Sequence, residues 1–355
     1  MISDTTQTPV YKGQPFRSFM TSFGVVVAAG LLWIASGLLI PASLLGLSGQ
    51  LQGLVTIFLG IFIEALPFLL AGVLAASAIH LFVSPEQVQR LCPRAPIPAA
   101  FTGALLGLVF PVCECGSIPT ARRLIAKGAP LPMGIAFVLA APVVNPVVIA
   151  STWVAFSIRP EIVLARVGLT ILIACAVGII LGMHRRPQEL LSSHFDDQHA
   201  YTDHDHDQCA HDHHHDHDHQ EQGTFRRLLA HASSEFFEMG RYLVIGALIA
   251  ATLQTLIPRE TLLGLGEGPI ISVLVLMALA VILSICSTVD AFVALAFVNS
   301  FSIGSVLAFL VFGPMIDIKS VLMLRSTFSR RAVIAIVLLT FQMSFLVAIL
   351  INLYL

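Results

Sequence analysis

Apolar runs recur along the chain, each near the 17–25 residues that cross about 30 Å of hydrocarbon as a helix, and polar or Pro/Gly-marked breaks separate them. The pattern predicts helices over about Phe19–Leu39, Leu54–Val83, Pro98–Val112, Pro132–Phe156 and Val163–Met183. After a polar tract it resumes with Leu228–Leu256, Ile270–Ile285, Ile303–Leu324 and Val333–Leu353. Two short segments, Gly116–Ala126 and Ser287–Asn299, follow breaks and either cross the membrane or re-enter it. Residues 1–16 carry no cleavable-signal pattern, so the first run is read as a retained helix.

Composition places these helices in a bilayer. Hydrophobic residues make up 56% of the 355 positions and charged residues 11%, against about 25% charged in a soluble domain; mean hydropathy is +0.87. The expected fold is an all-α polytopic protein of the inner (plasma) membrane, with about nine to eleven transmembrane segments. The net charge of -2 comes with the acids concentrated in one tract, and nothing supports a nucleic-acid partner. The six cysteines are too few and scattered for a disulfide scaffold. No Gly-x-x-x-x-Gly-Lys-Ser/Thr phosphate loop occurs, which argues against ATP hydrolysis by this chain; it reads as a transporter, not an enzyme.

The organisation is a tail and first helix over 1–50, a first repeat over 51–183, a His/Asp-rich linker over 184–227 and a second repeat over 228–355. Glu64 and Gly72 are spaced as Glu238 and Gly246 are, and Ala136-Phe137, Pro142 and Asn145 as Ala308-Phe309, Pro314 and Asp317. Such duplication is a common transporter plan, with the site between the repeats near the midplane. Lys and Arg placement favours inverted repeats with a cytoplasmic N-terminus and linker, leaving Arg159, Arg166 and Arg259 on the opposite side.

The breaks carry the candidate chemistry. Cys113 and Cys115 flank Glu114 in the segment Pro111 to Pro119, and in an unwound stretch two thiols at this spacing share a face. Thiolates select soft ions such as monovalent copper, zinc and, by extension, trivalent arsenic or antimony. Cys286 from the other half completes a three-sulfur set. Glu114 is a candidate proton acceptor, and Asp290 and Asp317, with Asn145 as the counterpart of Asp317, are candidate coupling-ion or proton sites. A charge at the centre of a spanning helix costs roughly 2.5–3.5 kcal/mol on insertion scales, so such residues face a cavity or a partner. Glu64 and Glu238 fit either function or pairing with Arg241 or the backbone.

The linker alternates imidazole and carboxylate: His204, His206, His211, His213, His214, His215, His217 and His219 stand among aspartates, with Cys209 inside the tract. This low-complexity stretch is too polar to fold and binds zinc, nickel or copper through changing ligand sets. No resident cofactor is otherwise expected.

Cys-x-Cys-Gly-x-Ile-Pro at Cys113 to Pro119 and Ala-Ala-Pro-Val-Val-Asn-Pro at Ala140 to Pro146 resemble the bacterial predicted permeases that include the ArsP-type organoarsenical exporters and YraQ-like proteins. So do Cys286 to Phe292 and Phe312-Gly313-Pro314-Met315-Ile316-Asp317-Ile318-Lys319. The resemblance implies a polytopic inner-membrane permease and, in the arsenic branch, cysteines that bind trivalent organoarsenicals, here Cys113, Cys115 and Cys286. Glu114 between the first two thiols departs from the family pattern, and the His/Asp linker is more typical of divalent-metal transporters. The resulting expectation is proton-coupled export of a soft metal or metalloid species, with the lipid bilayer, that small substrate and other copies of the chain as partners. A divalent-metal permease using the linker, an intramembrane thiol-redox protein and a metal-sensing subunit are the alternatives.

Overall fold

The computed structural model describes residues 45–110, 112–183, 190–191, 220–257 and 268–354. The expected first span, Pro111, Arg259 and the His/Asp tract from His204 to His219 lie outside the described residues. Among the described residues the elements are helical, apart from an isolated bridge between Leu191 and Phe328.

The described helices are, in order, α1 (Leu45–Phe82), α2 (Pro85–Leu91), α3 (Pro96–Val109), α4 (Glu114–Ala126), α5 (Leu131–Ala140), α6 (Pro146–Ala155) and α7 (Pro160–Gly182). After the linker come α8 (Gln220–Leu256), α9 (Pro269–Leu283), α10 (Asp290–Leu295), α11 (Ile303–Met315), α12 (Ile318–Thr327) and α13 (Arg330–Tyr354). Proline opens many of them: α2, α3, α6, α7 and α9 each carry Pro at a first helical position. There its missing N–H removes no hydrogen bond and its fixed φ suits the helix.

Two spans expected to be continuous are each broken in two. Pro132–Phe156 divides into α5 and α6 because Pro142 cannot continue a helix, and Asn145, standing before Pro146, is held extended at φ -105°, ψ 134°. Ile303–Leu324 divides into α11 and α12 at Ile316 and Asp317, both extended, two residues after Pro314. The short segments are shorter still: α10 has six residues and α4 thirteen, about 9 and 20 Å at 1.5 Å per residue, below the hydrocarbon thickness.

Among the described residues, five helical segments are long and apolar enough to cross a membrane, Gly49–Ile79, Pro160–Gly182, Ala232–Leu256, Ile303–Thr327 and Arg330–Tyr354. α3, α5, α6 and α9 are shorter apolar helices. The broken segment Ile303–Thr327 is the enclosed one, 83% buried against 22% for Arg330–Tyr354. Outward faces carry exposed apolar side chains such as Ile63, Leu164 and Leu338, as a lipid-facing surface does. The chain is therefore a multi-pass all-α membrane protein.

Packing follows one scheme before and after the linker. α3, α5 and α7 contact one another, as do α9, α11 and α13. Crossed contacts join the two sets: α4 lies against α12, α10 against α6, and α7 against α13. Small residues permit the tightest approaches. A Cβ on Gly72 of α1 would collide with the backbone of Gly116 in α4, and one on Gly246 of α8 would come 2.9 Å from the Lys319 Cα in α12.

Gly72→Ala is accordingly expected to lower stability by about 1–3 kcal/mol through overpacking. Gly60→Ala, where an added Cβ meets nothing within 4 Å, should not lower it. Thermal unfolding of the detergent-solubilised protein compares the two.

Candidate functional site

Four interruptions of regular helix meet in the interior. Before α4, Cys113 is extended (φ -80°, ψ -178°) and acts as the helix N-cap position, while Glu114 and Cys115 already belong to the first turn. The two thiols therefore stand at a helix start, not in the extended stretch their spacing suggested. The Cys113 carbonyl accepts from Gly116 N (3.1 Å) and Ser117 N (3.0 Å). Cys113, Cys115 and Cys286 are all buried free cysteines in the same apolar core. Sequence positions 171 and 173 residues apart thus share one neighbourhood. Among the described residues, no group of three or more His, Cys, Asp or Glu stands arranged to hold a metal ion.

The acids each have a definite place. Asp317 caps α12, its Oδ1 accepting from Ser320 N at 2.6 Å while the Ser320 hydroxyl accepts from Asp317 N at 2.9 Å. Asn145 does the same for α6, accepting from Val147 N at 2.9 Å, and its Nδ2 donates to the Val112 carbonyl at 3.5 Å. A cap of this kind typically contributes about 1 kcal/mol, and both residues, expected as ion or proton sites, first of all close the broken spans.

The cation beside them is Lys319, which lies in the first turn of α12 and is 3% exposed. Its Nζ donates to the Ser284 carbonyl at 2.7 Å and stands 3.6 Å from Glu114 Oε1 and 3.4 Å from Asp317 Oδ2. Ser284 ends α9 in the left-handed region, φ 44° and ψ 40°, among the described non-glycine residues the sole one with positive φ. That conformation costs on the order of 1–3 kcal/mol and places a carbonyl on the buried ammonium. One residue earlier, the Leu283 carbonyl accepts from Gln254 Nε2 of α8 at 2.8 Å.

Asp290, at the start of α10, pairs with Arg166 of α7 at 2.7 Å. The same guanidinium donates to Thr152 Oγ1 of α6 at 2.7 Å and to the Ser287 carbonyl at 3.4 Å. Read from the sequence as a charge near a membrane face, Arg166 is 1% exposed and joins α6, α7 and α10. A third set of ions ties α4 to α8: Arg122 meets Glu238 at 3.1 Å and Arg123 meets Glu235 at 3.0 Å. Glu238 is thus engaged from α4, while the guanidinium of Arg241 stands 4.9 Å from the Tyr242 ring centroid. Glu64 lies half-buried on α1, and Cys175 half-buried on α7.

Lys319, Arg166, Ser284 and Thr152 were not among the residues expected to form a site. A lysine or arginine inside an apolar run is itself a signal, because an unpaired buried charge is so costly. Arg166→Met should destabilise the protein by about 3–5 kcal/mol by stranding Asp290. Adding Asp290→Leu should return most of that loss, and unfolding of the two single variants and the double variant, compared as a cycle, measures the coupling.

Comparisons with known proteins agree with this architecture. A family model described as "Predicted permease", ArsP_1, matches residues 50–353. "UPF0718 protein YcgR" of Bacillus subtilis is 44% identical over 282 residues, covering 79% of this chain and 91% of that protein. A Streptococcus mutans protein named "Putative two-component membrane permease complex subunit" is 35% identical over 288 residues, covering 79% of this chain and 89% of its own length. No solved structure matches. With the helix breaks and buried ions all falling inside the matched region, the chain belongs to the ArsP_1 predicted permease family.

Proposed function

We propose that the chain exports a soft, thiol-seeking metal or metalloid species by proton-coupled alternating access, at a site between two inverted helical repeats. The observation that carries this reading is the burial of Cys113, Cys115 and Cys286 in one apolar core at helix interruptions, with Glu114 buried between the first two in sequence. Broken helices in transporters put binding groups near the midplane, where backbone and side-chain polar atoms face a substrate path. The three sulfurs supply the soft donors. Glu114, Asp290 and Asp317 are the carboxylates available for proton exchange, and Asn145 is the uncharged equivalent of Asp317 in the first repeat.

The matching contacts of α3, α5 and α7 and of α9, α11 and α13, together with the crossed pairs α4–α12 and α10–α6, support the two-repeat reading. In this scheme the His/Asp linker is cytoplasmic and its imidazoles gather divalent metal near the entrance. The Streptococcus mutans relative is named as a subunit of a two-component complex; by carry-over, a second membrane subunit is a partner to seek, alongside self-association of this chain. The activity is permeation and not catalysis of a reaction.

The test is accumulation of zinc, nickel, copper, arsenite and methylated trivalent arsenic in cells lacking the permease and in cells expressing it. Expression should lower retention of a thiol-binding species, and Cys113→Ser, Cys115→Ser or Cys286→Ser should each abolish the effect. Cys175→Ser, on α7 and outside the cluster, should not. Retention that ignores all three thiols would overturn the proposal.

A further inference from the structure

Three arginines crowd the turn between α12 and α13. Arg325 lies in the last turn of α12, and Arg330 and Arg331 open α13. All three are exposed, and their guanidiniums have no hydrogen-bond, ion-pair or ring partner among the described residues. The turn itself is firmly seated. Phe328 is buried, Leu191 bridges to it, and Ser329 N donates to the Leu190 carbonyl at 2.9 Å. Because Leu190 and Leu191 belong to the linker, the turn lies on the linker's side of the bundle.

Helix stability does not explain these charges. Residues 161–170 and 331–340 run through the same order of buried, half-buried and exposed positions, so α7 and α13 begin alike and Glu161 holds the place of Arg331. A carboxylate in a first turn suits the helix dipole, and a guanidinium there opposes it. The α6–α7 turn holds Arg159 and Glu161 and has no net charge, whereas residues 325–331 hold three arginines and no acid.

Orientation in the membrane accounts for an excess of positive charge on one side, but not for its setting here. Arg331, Ile334, Leu338 and Phe341 recur at intervals of three and four and share one face of α13. The apolar members of that face are exposed, Ile334 by 49%, Leu338 by 60% and Phe341 by 36%. From Arg331 to Phe341 the helix rises about 15 Å at 1.5 Å per residue, the depth of one leaflet in a hydrocarbon core about 30 Å thick. A cationic end above an apolar stripe one leaflet deep complements a phospholipid with an anionic headgroup, and guanidinium is well matched to phosphate. The linker's aspartates would match the charges but have no use for the stripe.

We propose that the α12–α13 turn binds an anionic phospholipid of the leaflet on the linker's side, with Arg325, Arg330 and Arg331 on the headgroup and an acyl chain along Ile334, Leu338 and Phe341. This goes beyond the transport reading and does not depend on the cargo.

Native mass spectrometry of the purified full-length chain, titrated with phosphatidylglycerol and with phosphatidylcholine of the same acyl chains, tests it. The chain should prefer phosphatidylglycerol. Replacing Arg325, Arg330 and Arg331 together by Gln, all at exposed positions, should weaken phosphatidylglycerol at least about tenfold and leave phosphatidylcholine unchanged. Arg159→Gln, at the equivalent turn of the first half, should change neither. Glycerol 3-phosphate, a headgroup without chains, should not displace the lipid. Phosphatidylglycerol affinity unchanged in the triple variant, or lowered as much by Arg159→Gln, would overturn the proposal. Displacement by glycerol 3-phosphate would reduce the turn to a general anion patch and overturn it too. So would a chain that shows no preference for phosphatidylglycerol until Asp203, Asp205 and Asp207 are replaced by Asn, since the arginines would then be the dock of the linker.

Discussion

A helix interrupted inside a low-dielectric bundle must find a partner for each backbone N–H and C=O that the interruption frees, and the interior of this protein is organised around that demand. Asn145 and Asp317 cap the second halves of the two broken spans. The Cys113 carbonyl takes two amides of α4, and the Cys286 carbonyl takes the Val289 and Asp290 amides at 3.0 and 3.1 Å. Gln254 and Lys319 cover the last two carbonyls of the turn that ends α9. A polar side chain that seals a break is already at membrane depth and already desolvated, so the residues that make the breaks tolerable are also those a passing ion would meet.

That double role explains what could be read from the chain and what could not. The helices were legible because hydrophobic length and Pro/Gly punctuation are local, and the acids at 114, 290 and 317 stood out against apolar surroundings. The division of the two broken spans was less visible, since each run is long enough for one crossing and the deciding signal is a single Asn-Pro or Ile-Asp step. Arg166 was misread because charge counting assigns any arginine near the end of a run to a membrane face. What buries it is Asp290, 124 residues away. Lys319 is plain in the sequence, but its neighbours come from three separate segments, at Glu114, Ser284 and Asp317, and no spacing rule brings those together.

The two buried cations divide the labour. Arg166 of α7 donates to Thr152 of α6 and Asp290 of α10 at 2.7 Å and to the Ser287 carbonyl at 3.4 Å, the hydroxyl and the carbonyl holding it whatever the charge of Asp290. Lys319 is surrounded by more negative charge than it neutralises, with Glu114 Oε2 and Asp317 Oδ2 lacking hydrogen bonds among the described residues. Arg166 Nε and Asp290 Oδ1 likewise lack partners among the described residues, so the two pairs differ in length, 2.7 Å against 3.4 and 3.6 Å, and the longer contacts return less Coulomb gain against a similar desolvation cost.

α4 carries Cys115, with Cys113 at its N-cap, and both its ends are tied by ions to helices that follow the linker: Glu114 to Lys319 of α12 at one end, Arg122 and Arg123 to Glu238 and Glu235 of α8 at the other. Before the linker it crosses α1 at Gly72 and Gly116, a contact with no side chain on either partner. A glycine-to-glycine crossing resists sliding less than interlocked side chains do, whereas the ion pairs persist only while their partners stay close. The 3.6 Å contact at the thiol-bearing end is the longest of these ties, against 3.1 and 3.0 Å at the arginine end.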